Sequence, residues 1–126
     1  MKAEKIYTQH KENEEWMNNA TFYRDEIKIL EGRLSEVASK NTSKEVLKQV
    51  EHFQNQFTIQ KDRLDELKHE INLSNDKLKK EINKNPTAVE HRSVEDHLVA
   101  RQNMNSYEKI FSTFKIELNT FLSKWM

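Results

Sequence analysis

The chain has no cysteine, one glycine and one proline among its 126 residues. Without cysteine the protein has no disulfide, no thiol nucleophile and no thiolate-ligated zinc. A single glycine cannot build a glycine-rich phosphate loop or a dinucleotide-binding fingerprint, and no glycine-rich turn surrounds any serine or threonine. We therefore expect a protein without enzymatic activity and without a cofactor.

Long apolar runs and an excess of one charge are also missing. No run approaches the roughly 20 apolar residues that span a bilayer, and no apolar signal segment follows Met1–Lys5. Basic and acidic residues are balanced at 21 each and interspersed, unlike the basic surface typical of nucleic-acid binders. No helix pairs a broad apolar face with a basic one, as membrane-surface helices do. We expect a cytoplasmic protein that binds neither nucleic acid nor membrane, with a lysine- and asparagine-rich composition of bacterial type.

What the sequence does contain is a periodic apolar pattern in three long segments. Apolar residues recur in steps of three and four, which places them on one face of an α-helix. We call this face the seam. In the first segment it comprises Trp16, Ala20, Tyr23, Ile27, Leu30, Leu34 and Val37. In the second it comprises Val46, Val50, Phe53, Phe57, Gln60, Leu64, Leu67, Ile71, Ser74, Leu78 and Glu81. In the third it comprises Met104, Tyr107, Phe111, Phe114, Leu118, Phe121 and Trp125.

Two turns separate the segments. Lys40 and Asn41 close the first helix, and Thr42 with Glu45 has the form of a capping box that opens the second. Pro86 marks the second turn, because proline suits the first position of a helix, and a further capping box spans 87–90. These signals predict helices at about 8–39, 43–84 and 87–125.

Three long helices joined by short turns predict an all-α fold. We expect an antiparallel, up-down-up three-helix bundle with coiled-coil-like packing and a single domain over residues 1–126. If the turns are centred near residues 41 and 86, the numbers of two facing residues add up to about 82 across the first two helices and to about 172 across the last two. This arrangement puts Gln60 level with Tyr23, whose hydroxyl would satisfy the buried amide.

Toward the second turn the seam becomes polar. Two interpretations are open: a loosely packed, partly solvated end, or a pocket for a ligand or a metal ion built around Asn13, Ser74 and His97. The polar seam residues are Gln9, Asn13, Ser74, Glu81, Ser93 and His97.

The histidines give little support to a metal site. Di-metal bundles use two inward Glu-x-x-His motifs on different helices. This chain has one such motif, Glu66 with His69, and the heptad pattern turns both residues away from the seam. Only His97 lies squarely on a seam, so we expect no metal.

Several apolar residues lie off the seam. Phe22 and Ile29 share one heptad position on the first helix, and Ile59 and Leu73 share one on the second. A broadened core is one explanation, since bundle helices widen their apolar stripe. The other is an exposed apolar strip at mid-length, formed by Phe22, Ile29 and Ile59, that contacts a second protein.

Together these patterns favour a structural or protein–protein interaction module. We expect it to act through self-association, as a homodimer, or by packing on a partner helix, with Phe22, Ile29 and Ile59 at the contact. The alternative is a helical bundle that binds a ligand or metal through the polar end around Asn13, Ser74 and His97.

Overall fold

The computed structural model of the protein describes the backbone of residues 2–84 and 91–126, and the side chains of residues 7–80 and 97–126. These residues form three α-helices: α1 (Lys2–Lys40), α2 (Lys44–Lys84) and α3 (His91–Trp125). No strand occurs within the described ranges. The all-α, three-helix architecture predicted from the sequence is therefore confirmed. The predicted start of the third helix at 87, the Pro86 turn and the capping box at 87–90 lie outside the described residues, as do the side chains of Glu81 and Ser93.

The helix ends differ from the prediction at two places. Helix α1 begins at Lys2, well before the predicted residue 8, because no glycine or proline interrupts its first turns. The carbonyl oxygen of Ser43 accepts a 3.0 Å bond from the amide of Leu47, so Ser43 rather than Thr42 precedes α2. The side chain of Asn41 closes the turn by donating to the carbonyl of Val37 at 2.8 Å.

The core follows the predicted seam. Tyr23 and Trp125 are half-buried, and the ring of Phe114 packs edge-on against Phe57 with centroids 5.1 Å apart. Such aromatic pairs contribute about 0.5–1.5 kcal/mol beyond the area they bury. The buried apolar residues of the predicted seam are Trp16, Ala20, Ile27, Leu30, Leu34, Val37, Val46, Val50, Phe53, Phe57, Leu64, Leu67, Ile71, Leu78, Met104, Tyr107, Phe111, Phe114, Leu118 and Phe121. Ala100 and Leu122 of α3 are also buried, outside that set.

Polar contacts between the helices show in which direction each helix runs and which residues lie at the same height. Residue numbers rise on α1 and fall on α2 in the pairs His10–Asn75, Arg24–Asp65 and Glu31–Lys61. Numbers rise together on α1 and α3 in the pairs Glu12–Arg101, Glu26–Lys115 and Asn41–Trp125. In the described structure α1 and α2 therefore run in opposite directions, while α1 and α3 run in the same direction.

One predicted core contact is wrong. Gln60 is buried, but its Oε1 atom has no hydrogen-bond partner within the part of the chain that the structure describes. The ring of Tyr23 packs instead toward α3, with its centroid 4.9 Å from that of Phe111 and 5.6 Å from that of Tyr107. Aromatic packing thus positions Tyr23, and the amide oxygen of Gln60 is left without the predicted hydroxyl.

Candidate functional site

The polar end of the bundle contains a buried histidine. The imidazole of His97 stacks on the indole of Trp16, with ring centroids 4.9 Å apart and an interplanar angle of 24°. Its Nε2 atom lies 3.3 Å from Oε1 of Glu12. Glu12 and Trp16 lie on adjoining turns of α1, so that both side chains reach His97 on α3.

Glu12 is also held by Arg101. Nε of Arg101 donates to Oε2 of Glu12 at 3.1 Å, and Nη2 of the same guanidinium donates to the other carboxylate oxygen. Burial raises the pKa of Glu12, but the hydrogen bonds from Arg101 and His97 outweigh burial, so the net pKa of this carboxyl is lowered. The carboxylate is therefore ionised at neutral pH and joins α1 to α3.

The environment of His97 fixes its protonation. Burial lowers the pKa of His97 below its ordinary value, although the hydrogen bond that its ring donates to Glu12 opposes this shift. The ring is therefore neutral at pH 7, and because a carboxylate only accepts hydrogen bonds, Nε2 carries the proton. Nδ1 of His97 is then an acceptor, and it has no partner among the described side chains.

Other buried polar atoms at this end also lack partners. Asn13 is 1 % exposed, and neither its Nδ2 nor its Oδ1 atom forms a hydrogen bond with a described residue. Oε1 of Gln9 is likewise buried and unpartnered. Each such atom costs about 1–3 kcal/mol unless water or a ligand satisfies it. Of the predicted polar residues, the structure buries Asn13 and His97 and leaves Ser74 half-buried.

A cavity opens beside Asn13 between α1 and α2, which we call the asparagine cavity. Its volume is about 250 Å³. At its edge His10 of α1 contacts both helices. Its Nδ1 atom lies 2.7 Å from Oδ1 of Asn75 on α2, and its Nε2 atom lies 3.1 Å from Oε1 of Glu14 on α1. The described lining residues are Asn13, Glu14, Met17, Asn18, Ile71, Asn72 and Asn75.

The predicted apolar residues are all exposed, but they do not lie together. Phe22 is 65 % exposed and Ile29 is 59 % exposed. Both are one helical turn from Glu26, which contacts Lys115, and so they border α3; we call this surface the α1–α3 face. The exposed Ile59 is one turn from Gln56, which lines a groove between α2 and α3. Helix α3 therefore lies between Ile59 and the other two residues.

The groove beside Ile59 forms a second cavity, of about 340 Å³. Phe114 and the unpartnered Gln60 line it, together with the half-exposed Ile110. Sequence reasoning placed Gln60 correctly on the seam but gave no sign of this opening between α2 and α3.

Several site residues were not predicted from the sequence. Glu12 and Arg101 flank the seams of α1 and α3, as do Glu26 and Lys115, and each pair joins the two helices. Opposite charges at flanking heptad positions of neighbouring helices are the signal that could have found them. Aligning the pairs requires the relative height of the helices, which the turns fix only loosely.

Within the described residues no group of three or more histidine, aspartate or glutamate side chains is arranged to hold a metal ion. In the same part of the chain, no helix is both long enough and apolar enough to cross a membrane. Comparison with known proteins gives no relative, since no family model, no curated protein and no solved structure matches the chain.

Proposed function

We propose that the protein is a non-enzymatic interaction module that self-associates as a homodimer through its α1–α3 face. The observation that carries this proposal is the exposure of Phe22, Ile29 and Ile116, at 65, 59 and 66 %, on two neighbouring helices. Exposed large apolar side chains in one region of a surface are typical of protein contacts. A second copy of the chain is the partner that the arrangement of these residues favours.

The heights of the residues on α1 and α3 support a specific symmetry. Because Glu26 contacts Lys115 and both helices run in the same direction, Ile29 lies at about the height of Ile116. A two-fold axis parallel to the bundle would place α1 of each copy on α3 of the other at equal height. Ile29 would then pack on Ile116 of the second copy, and the same contact would occur twice.

Charge disfavours one alternative arrangement. An antiparallel α1–α1 contact centred on Phe22 and Ile29 would bring Glu15 against Glu36, which repel each other.

The only glycine fits this contact. Gly32 lies one turn after Ile29 on the outward side of α1, and a Cβ atom there would meet nothing within 4 Å. The fold of the monomer therefore does not need glycine, which costs about 1 kcal/mol relative to alanine inside a helix. In a parallel two-fold contact the missing side chain would let α3 of the second copy approach α1 closely.

Light scattering after size exclusion tests the proposal. We expect a dimer for the wild type at tens of micromolar and a folded, helical monomer for Phe22→Glu/Ile29→Glu. The control Ile59→Glu makes the same kind of change at a similarly exposed residue on the other side of α3 and should leave the dimer intact. A monomeric wild type, or a dimer that Ile59→Glu alone disrupts, would overturn the α1–α3 assignment.

A further inference from the structure

The imidazole of His10 lies between two hydrogen-bond acceptors. Its Nδ1 atom is 2.7 Å from the carboxamide oxygen of Asn75 on α2, and its Nε2 atom is 3.1 Å from a carboxylate oxygen of Glu14, one turn further along α1. Both oxygens only accept hydrogen bonds, so each needs a proton or a positive ion in front of it. A neutral imidazole carries a proton on one nitrogen alone. One of the two contacts is therefore incomplete when the ring is neutral.

The distances show which contact that is. The 2.7 Å contact with Asn75 is the shorter one and identifies Nδ1 as the nitrogen that carries the proton. The lone pair of Nε2 then faces the carboxylate of Glu14, and two acceptors 3.1 Å apart repel each other unless a cation lies between them. A metal ion about 2.1 Å from each atom would have an angle of about 95° between its two ligands. This angle lies between the right angle of octahedral coordination and the wider tetrahedral one.

We propose that His10 and Glu14 chelate a divalent transition-metal ion such as Zn²⁺, through Nε2 and a carboxylate oxygen, with Asn75 as the residue that positions the imidazole. A metal-bound histidine almost always donates its other ring N–H to a carbonyl or carboxylate oxygen, which fixes the tautomer and the orientation of the ring. The carboxamide oxygen of Asn75 is that acceptor, supplied from the second helix. Water would complete the coordination, because no third histidine or carboxylate joins the pair within the described residues.

Solvent gives an ion access to both ligands. The side chain of His10 is 33 % exposed and that of Glu14 is 63 % exposed. Glu14 also lines the asparagine cavity, beside the exposed Asn18 and Asn72. The cavity volume of about 250 Å³ is that of several water molecules, at about 30 Å³ each. The ion would therefore keep part of its hydration shell, with neutral amides around it.

The types of ligand narrow the choice of ion. Imidazole suits zinc, copper and nickel, whereas Mg²⁺ and Ca²⁺ take oxygen ligands. The spacing of four residues between His10 and Glu14 puts both side chains on one face of α1. The pair lies at the edge between α1 and α2, and so it differs from the inward di-metal motif that the sequence lacks.

This site is independent of the proposed dimer. The chelate lies on the side of α1 that contacts α2, whereas the proposed self-association uses α1 and α3. Disruption of the dimer by Phe22→Glu/Ile29→Glu should leave zinc binding unchanged, so that the two proposals succeed or fail separately.

NMR of the histidine ring nitrogens in the ¹⁵N-labelled, untagged full chain tests the site. In the metal-free protein we expect the proton of His10 on Nδ1. Addition of ZnCl₂ should give a saturable shift of Nε2 at one equivalent while Nδ1 stays protonated, and MgCl₂ should give none. If the proton of the neutral ring lies on Nε2, or if zinc gives no saturable shift, the proposal is overturned.

Variants at the three residues test their separate roles. His10→Ala should abolish the saturable binding, and Glu14→Gln, which keeps the shape of the side chain but removes its charge, should weaken it at least tenfold. Asn75→Ala should weaken it about tenfold, the lower end of the range for residues that position a metal ligand. Unchanged affinity in both Glu14→Gln and Asn75→Ala would overturn the chelate.

Two matched controls separate this site from zinc held by any surface histidine. His69→Ala removes an exposed histidine of α2. His91→Ala disrupts the other histidine–glutamate pair with a four-residue spacing, formed with Glu95, whose side chains lie outside the described residues. Both variants should bind zinc as the wild type does. The proposal fails if either control weakens zinc binding as much as His10→Ala.

Discussion

The imidazole of His97 lies stacked on the indole of Trp16, 4.9 Å between ring centroids, with the carboxylate of Glu12 at 3.3 Å from Nε2. The contact joins the polar end of α3 to α1 around a neutral histidine. Burial lowers the pKa of His97, so the folded protein resists protonation of this ring.

This burial predicts a loss of stability in mild acid. The unfolded chain binds a proton at His97 near its ordinary pKa of 6.5, whereas the folded chain does so only at lower pH. Because the unfolded state binds more protons in that window, the free energy of unfolding should fall as the pH drops below about 6.5. Urea unfolding at pH values from 8 to 5, in steps of about one unit, measures the effect.

Variants assign that loss to one residue. His97→Leu should flatten the pH dependence in this window, whereas His69→Gln, at an exposed position on α2, should leave it as in the wild type. An unchanged slope in His97→Leu would show that other groups cause the effect.

The second prediction concerns Glu12 and Arg101. Glu12→Gln removes the charge that accepts two bonds from Arg101 and one from His97, and the exchange should cost about 1–2 kcal/mol of unfolding free energy. Partial exposure of Arg101 keeps the cost below that of a fully buried pair. Because the pKa of Glu12 is lowered, its contribution is present above its ordinary value of 4.5 and is lost as the pH falls further.

Chemical denaturation of Glu12→Gln and Arg101→Met at pH 7 measures this contribution. Glu15→Gln, an exposed acid on the same helix, is the control and should change stability by less than about 0.5 kcal/mol. Equal stability of Glu12→Gln and the wild type would mean that the pair adds nothing to the packing of α1 on α3.

The sequence predicted the core well because a heptad seam is a local property. Trp16, Leu64 and Met104 are each assigned to the interior by neighbours three and four residues away, and the structure buries all three. The predicted strip of Phe22, Ile29 and Ile59 needed more than local information. Which flank of a seam faces which neighbour depends on the handedness of the bundle, and a heptad pattern does not encode handedness.

The same limit applies to the sites. The contact of Glu12 with Arg101 depends on the relative height of α1 and α3, and a shift of one turn, about 5.4 Å, would pair different residues. Each of the cavities beside Asn13 and Gln60 depends on the side-chain volumes of two neighbouring helices together. Polar seam residues nevertheless marked both places, since Asn13 and Gln60 interrupt an otherwise apolar face.

The third prediction is that Gln60→Leu stabilises the protein. Its Oε1 atom is buried without a partner, so an apolar side chain of similar size should raise the free energy of unfolding by about 1 kcal/mol. Gln56→Leu, a half-buried residue in the same groove, should have a smaller effect. Thermal and urea unfolding measure both variants, and a less stable Gln60→Leu would indicate that this amide fixes the alignment of the helices instead.

The fourth prediction separates the monomer from the dimer at Gly32. Gly32→Ala should stabilise the monomer by up to about 1 kcal/mol, because alanine favours the helix and its Cβ meets no atom within 4 Å. The same methyl group should weaken self-association if α3 of a second copy packs closely against α1 there. Unfolding is measured at high dilution and the dissociation constant by analytical ultracentrifugation. A dimer unaffected by Gly32→Ala would place the contact elsewhere.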